Sequence, residues 1–344
     1  MGNLITVARL PAYLDDKGMF KLDGKMISME PLISVVICTR NRCDQLRQVL
    51  ETAATMLIPV GLTWELILVD NGSTDATREV AECFQNVLPI KVVEELQLGL
   101  SHARNRGMLE ARGAYICWTD DDVVISPNWL CAYAQAFADF PDVAVFGGRI
   151  DPQIEGVLPD WWVSHGSTLE ALLGKRHPGD VYRVITGHDD DMPYGANFAL
   201  RKRDIGDLRF DPQLGVGPDR RRLGEESTIM LAILSQGAKG IWVPTATVGN
   251  PVPSVRLSKD YVAEYHQGNG ETDAYLYATG FLQGKPRSFW KVVTRAFKIG
   301  FAIPFHYCRY HLLRVCHPAH AWVPAWIDYN VRKGMFAYFS RSLR

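Results

Sequence analysis

The chain has 344 residues, 47% hydrophobic and 22% charged, enough for one large α/β domain with an appendage or for two domains. The formal net charge is −1, yet residues 281–344 hold eleven Lys/Arg against one acid, Asp328, leaving −11 on the preceding 280 residues. No uncharged apolar run approaches the roughly 20 residues of a spanning helix, no basic start and apolar core suggest a signal peptide, and the seven cysteines show no zinc spacing, which points to buried free thiols in the cytoplasm.

Residues 1–30 contain the turn signal Asp15-Asp16-Lys17-Gly18 and read as a small hairpin or a loose arm. A regular pattern then begins. The apolar, β-branched run Ile33–Cys38 predicts a buried parallel strand, and residues 43–56 a helix with Leu46, Val49, Leu50 and Ala53 on one face. Trp64–Val69 predicts a second strand stopping at Asp70-Asn71-Gly72, followed by a helix over 73–84 with Ser73 or Thr74 as its N-cap. A strand over 90–93, a helix over 100–111 and a strand over 114–118 follow, the last running into Asp120-Asp121-Asp122. Ser126-Pro127-Asn128 opens a helix with proline in its first turn, and Val143–Phe146 is a strand closed by Gly147-Gly148. Residues 151–192 read as a long irregular loop. After it come a short strand at 197–200, a helix from Glu225 to Gln236 ended by Gly237, a strand over 240–244, and a helical, aromatic region beyond Leu257. Strand–helix alternation of this kind predicts a doubly wound, mostly parallel sheet whose ligands bind beyond the strands' carboxyl ends.

The candidate chemistry sits at those ends. Three adjacent carboxylates repel one another, and an oxygen-only set suits Mg²⁺ or Mn²⁺; a solvated acidic loop is the alternative for Asp120-Asp121-Asp122 alone. Asp70 can accept from a base or a ribose hydroxyl, or form an Asx turn. Thr39-Arg40-Asn41-Arg42 offers a helix start and two arginines to an anion such as diphosphate. Neither a phosphate loop nor Gly-x-Gly-x-x-Gly follows the first strand. Arg104 and Arg106 face donor phosphate or solvent, and Glu225 and Glu226 cap a helix or supply a general base.

Taken in order, Val35–Arg42, Val69–Asp75, Gly99 with Ala103-Arg104-Asn105 and Gly107, Asp120–Asp122, Pro127–Leu130, Gly148, Gly195–Phe198, Phe210-Asp211, Gly224–Glu226 and Val243-Pro244 resemble the inverting family 2 glycosyltransferases across roughly residues 31–256. The resemblance implies a glycosyltransferase-A fold over 31–256, with nucleotide-sugar binding in 31–148 and the acceptor side in 149–256. Residues 257–344 then form a basic, aromatic-rich helical region. It implies a divalent cation held by Asp120 and Asp122, and a nucleotide-sugar donor touched by Thr39, Asn41, Arg42, Asp70, Arg104, Asp120 and Asp121. Acceptor contacts fall at Gly195, Ala196 and Asn197, with Trp161 as a stacking surface. Glu226 stands where the family's catalytic acid, usually an aspartate, is found, with Glu225 as the competing choice. The sequence departs from the family at Asn250, where many relatives carry a histidine, which puts a histidine metal contact in question. A glycan or lipid-linked acceptor is implied, with no nucleic-acid partner. The 14 aromatics among the eleven cations of 281–344 add a peripheral contact with the inner face of the cell membrane, against a plain helical cover for the core. The competing functions are a sugar nucleotidyltransferase, which would open with a glycine-rich loop, and a non-catalytic nucleotide-sugar-binding protein.

Overall fold

The computed structural model describes residues 19–22, 25–28 and 32–343, apart from 164, 178, 188–190, 219 and 282–283. Two short strands, β1 (Met19–Leu22) and β2 (Lys25–Ser28), pair as an antiparallel hairpin. The main body follows as β3 (Ile33–Thr39), α1 (Cys43–Ala53), β4 (Trp64–Asp70), α2 (Thr77–Cys83), β5 (Ile90–Glu94), α3 (Leu100–Glu110), β6 (Tyr115–Asp120), β7 (Val124–Ile125), α4 (Trp129–Asp139) and β8 (Val143–Ile154). Two short helices, α5 (Asp160–Val163) and α6 (Gly166–Leu169), precede β9 (Arg183–Ile185), β10 (Asn197–Arg201), α7 (Lys202–Ile205), β11 (Gly215–Gly217), β12 (Arg220–Arg222), α8 (Glu225–Ser235) and β13 (Lys239–Val252). Three long helices end the chain: α9 (Lys259–Thr279), α10 (Phe289–Cys316) and α11 (Ala319–Ser342).

The central sheet has nine strands in the order β5-β4-β3-β6-β10-β8-β13-β7, with β9 beside β13. β5, β4, β3 and β6 are parallel neighbours, β8 and β13 are parallel to each other, and β10 runs antiparallel between the two blocks. The fold is thus the expected mixed α/β sheet, mostly parallel, with helices on both faces and a helical C-terminal extension. The near-continuous apolar runs have their cause in this layering. Val35, Ile37, Leu66 and Leu68 pack under α1 and α4, while Val36, Ile67 and Val69 pack under α3 and α8, so both faces of each strand are buried.

Several boundaries differ from the sequence expectation. The strand begun at Val143 runs on to Ile154, and the one begun at Lys239 runs through Pro244 to Val252. Gly147 and Gly148 do not close a strand; they make room, since a Cβ on Gly148 would lie 2.3 Å from the Asn197 side chain. Neither Ser73 nor Thr74 caps α2, which starts at Thr77 after Ala76. They are held instead by Asn41, whose backbone N–H donates to Ser73 Oγ (3.0 Å) and whose Oδ1 accepts from Thr74 N (2.7 Å). Pro127 precedes the N-cap Asn128 rather than entering α4. The cysteines are free, but Cys83, Cys308 and Cys316 are exposed, so only part of the set is buried as expected.

The C-terminal helices form one further layer. α9 and α11 approach closely at glycine: a Cβ on Gly270 would meet the Val331 carbonyl at 1.9 Å, and one on Gly334 the Gln267 carbonyl at 1.9 Å. Side chains of α9, α10 and α11 bury Trp322, Trp326, Tyr310 and Phe339 among them. Among the described residues, no helix is long and apolar enough to cross a membrane.

Candidate active site

Parallel pairing brings the predicted strand ends together. Thr39 is in register with Asp70, and Cys38 with Asp120. The loops that follow carry the site. Asp70 is 8% exposed and its Oδ1 accepts from Ser73 N (2.9 Å), three residues on, so the carboxylate caps the loop without forming the Asx turn, whose bond goes two residues on. Asn41 sits in the left-handed region (φ 52°), its side chain engaged by Thr74 as above. Asn41 therefore ties the two loops together, and Thr39, Arg40, Arg42 and Asn71 line the adjoining cleft.

That cleft has a volume of about 970 Å³ and runs from these loops across β6 to α8 and α9. The acidic triplet lies at its floor. Arg42 donates from Nη1 to Asp121 (2.6 Å) and from Nη2 to Asp122 (2.8 Å), and Arg256 donates to the same Asp122 oxygen (3.1 Å). Asp121 is 4% exposed, and burial holds its carboxyl above the usual range while Arg42 opposes the shift. Asp120 is placed differently. Its side chain keeps 40% of its surface open, and its nearest cation, Arg104, is 3.6 Å away. Enclosure in the cleft pushes Asp120 up to about 7, with Asp122, Asp121 and Glu226 adding to the shift and Arg104 working against it.

Arg104 is the hub of the opposite wall. It is 3% exposed, donates to Glu225 Oε1 (2.7 Å), and lies 3.8 Å from Glu226 Oε2. Its guanidinium carbon is 5.7 Å from the rings of both Phe198 and Phe210, so the charge is walled by aromatics. Gly195 is required beside it: a Cβ there would lie 2.4 Å from Arg104 Nη2. The two glutamates divide by environment. Glu225 is 4% exposed and locked to Arg104, and burial with the Glu226 charge raises it to about 8. Among the described residues, Glu226 Oε1 accepts a long bond from Gly195 N (3.2 Å), and its buried Oε2 has no hydrogen-bond donor.

A pH dependence follows from Glu225. Its folded value lies above the ordinary 4.5, so the native state keeps a proton that the unfolded chain releases. Stability is therefore lost as pH rises from about 4.5 to about 8. The melting temperature of the protein alone is expected to fall by a few degrees over that window, and Glu225→Gln to flatten the slope; a wild-type profile that rises there refutes the assignment.

On the acceptor side, Gly195 and Ala196 line the cleft, but Asn197 stands behind it with 0% exposure. Its Oδ1 accepts from Trp129 Nε1 and Tyr133 OH (both 2.8 Å), and its Nδ2 donates to the carbonyls of Arg149 and Ala246 (both 2.8 Å). The side chain fastens α4, β8 and β13 to β10. Asn197→Ala strands these partners and is expected to cost about 3 kcal/mol in denaturant unfolding. Trp161 packs with Trp162, Trp322 and Trp326 in the cluster under the C-terminal helices, outside the cleft lining. Asn250 does line the cleft, with its Nδ2 donating to the Leu173 carbonyl (2.7 Å). In the acidic stretch 188–191, Asp191 accepts from Thr186 and Gly187, while residues 188–190 lie outside the described residues.

The sequence reading missed the wall contributed by α9, where Tyr261, Tyr265, Asn269 and Thr272 face the cleft, and the Arg256 contact to Asp122. Gly268-Asn269-Gly270 is a poor helix sequence by propensity, but its glycines answer to packing, since a Cβ on Gly268 would lie 2.3 Å from the Arg221 carbonyl and one on Gly270 1.9 Å from the Val331 carbonyl.

Comparison with known proteins agrees with this architecture. Solved structures with the glycosyltransferase-A fold superpose on nearly the whole chain. A mannosyltransferase from Pyrobaculum calidifontis, solved with GDP-Man and Mn²⁺, matches with a TM-score of 0.57 at 17% identity, over 92% of this chain and 88% of that one. Residues 1–349 of TarS from S. aureus, solved with UDP-GlcNAc, match at 0.51 and 17% identity, over 90% and 92%. The chain thus has the fold of a nucleotide-sugar-dependent glycosyltransferase. It belongs to glycosyl transferase family 2, whose model matches residues 34–208. The succinoglycan biosynthesis protein ExoM of Rhizobium meliloti is 26% identical over 78% of this chain and 82% of its own. The cholesterol galactosyltransferase of Borreliella burgdorferi is 34% identical, but over 32% of this chain and only 31% of that protein's length.

Proposed function

We propose that the protein transfers a sugar from a nucleotide-diphosphate donor to a hydroxyl of a glycan or lipid-linked acceptor, with inversion and with help from a divalent cation. The observation that carries the reading is the pairing of two acidic groups across one cleft: an open carboxylate, Asp120, at the end of β6, and an under-bonded carboxylate, Glu226, at the start of α8. Relatives support the acceptor class, since a glucosyl-dolichyl phosphate glucuronosyltransferase of Haloferax volcanii is 22% identical over 67% of this chain and 72% of that one.

The donor set fits a hard cation in part. Among the described residues no three His, Cys, Asp or Glu side chains converge as a cage. Asp120 is open, whereas one oxygen of Asp122 is already shared by Arg42 and Arg256. Two carboxylates, with phosphate oxygens and water completing the shell, are enough for Mg²⁺ or Mn²⁺. A cation bound there would neutralise charge on the departing diphosphate. The chain's own residues do the rest. Arg42 and the loop after β3 present positive charge to the phosphates, and Asp70 stands at the end of β4 toward the nucleoside. Glu226 takes the proton of the acceptor hydroxyl as it attacks the anomeric carbon opposite the leaving group. Glu225 holds Arg104, and Arg104 holds the charge balance between the two sides.

Thermal-shift screening of UDP-, GDP- and dTDP-sugars with Mn²⁺, then a transfer assay with and without chelator, tests this. The expected result is stabilisation by one donor class, and activity that chelator abolishes and Mn²⁺ restores. Full activity in chelator sinks the cation assignment, and a product of retained anomeric configuration by proton NMR sinks the single displacement.

A further inference from the structure

The helix α10 has two apolar faces. One is buried: Val292, Ala296 and Ile299 pack with Ala274 and Phe339, and Tyr310 packs with Trp322 and Trp326. The opposite face is open. Trp290 is 74% exposed, Phe297 65%, Phe301 81%, Phe305 65%, Leu312 67% and Val315 85%. Spacings of three, four and seven residues place all six in one stripe along the helix, diametrically opposite the packed face. Isolated exposed apolar residues need no explanation, but a continuous row of this length does.

The charges around the row say what covers it. The helix carries Lys291, Arg295, Lys298, Arg309 and Arg314 and no Asp or Glu. At about 100° per residue, Lys291, Lys298 and Arg309 fall together along one flank of the stripe. All three are exposed. A second copy of the chain is a poor occupant, because a two-fold pairing of α10 on α10 would set these cations against each other with no acid on either helix to answer them. Crossing a membrane is not open to this helix. A cationic flank beside an aromatic row matches an anionic lipid surface, with rings at the boundary of headgroups and acyl chains and ammonium and guanidinium groups at the phosphates.

We infer that the outer face of α10 seats the protein on anionic bilayers. The inference rests on this surface alone and not on the transfer chemistry, so it stands or falls by a measurement that needs no turnover. The full chain is floated with phosphatidylcholine vesicles with and without phosphatidylglycerol, alongside two variants, Phe297→Ser/Phe301→Ser/Phe305→Ser and Lys291→Gln/Lys298→Gln/Arg309→Gln. The wild type is expected on the anionic vesicles only, with binding that weakens as salt is raised. The charge variant should bind about a hundredfold more weakly, at about fivefold per cation. The aromatic variant should lose at least as much, and Phe301→Ser alone about tenfold, which keeps the test decisive should the triple variant misfold. Equal binding to neutral and anionic vesicles, or unchanged binding by the charge variant or by a folded aromatic variant, overturns the inference. So does light scattering that finds a wild-type dimer turned monomeric by Phe301→Ser, which would assign the stripe to a second copy.

Discussion

Replacing Glu226 with glutamine is expected to lower turnover by about 10²–10⁴-fold while leaving donor affinity close to wild type. The amide keeps the shape and can still accept from Gly195 N, which reaches Oε1 at 3.2 Å, but it cannot take a proton. Glu226 suits the role because its second oxygen is left without a hydrogen-bond donor among the described residues, so that oxygen is open to accept the hydroxyl's proton. Glu225 does not suit it. Its carboxylate is 2.7 Å from Arg104 Nη1, and ionising it alone in that buried place is costly. Single-turnover rates and donor titration by calorimetry separate the two. Glu226→Gln should move the rate and not the donor Kd. Glu225→Gln should move stability and the pH profile first. A Glu226→Gln enzyme that turns over within about threefold of wild type removes Glu226 as the base.

Arg104→Met should be the most destabilising change in the site, by about 3–5 kcal/mol above about pH 8, where Glu225 is ionised, because it leaves buried carboxylates without their counter-ion. The guanidinium is 3% exposed and has Glu225 at 2.7 Å, Asp120 at 3.6 Å and Glu226 at 3.8 Å. Methionine fills similar space against Phe198 and Phe210, so packing changes little and the loss reports mainly on charge. The signature is recovery on acidification, since protonating Glu225 removes the uncompensated charge. Glu225→Gln in the Arg104→Met background should also restore part of the loss, a coupling that a double-mutant cycle measures. A loss below about 1 kcal/mol, with no dependence on pH, refutes the hub.

Much of the donor side was legible before the fold was known. Ile33–Cys38, Trp64–Val69 and Ala114–Trp118 are near-continuous apolar runs, too unbroken to be half-buried, and parallel pairing of such strands must bring Thr39, Asp70 and Asp120 to one edge. The acceptor side was less legible. Asn197 reads as a ligand-facing residue in its motif, yet its four hydrogen bonds all go to protein groups on α4, β8 and β13. Trp161 reads equally as a sugar platform, and only the packing of Trp322 and Trp326 shows what it meets.

Local sequence, acting through strand periodicity and turn chemistry, determined which elements form and which carboxylates stand at the strand ends. Tertiary structure alone decided which charges answer one another. Arg104 meets Glu225 across 121 positions, and Arg256 meets Asp122 across 134. No periodicity encodes such pairs, because their energy depends on burial and on distances that exist only once the sheet, α8 and the C-terminal helices have closed around the cleft. The same holds for the glutamates of Gly224-Glu225-Glu226: adjacent in the chain and alike in chemistry, they are told apart by which one the fold gives to Arg104.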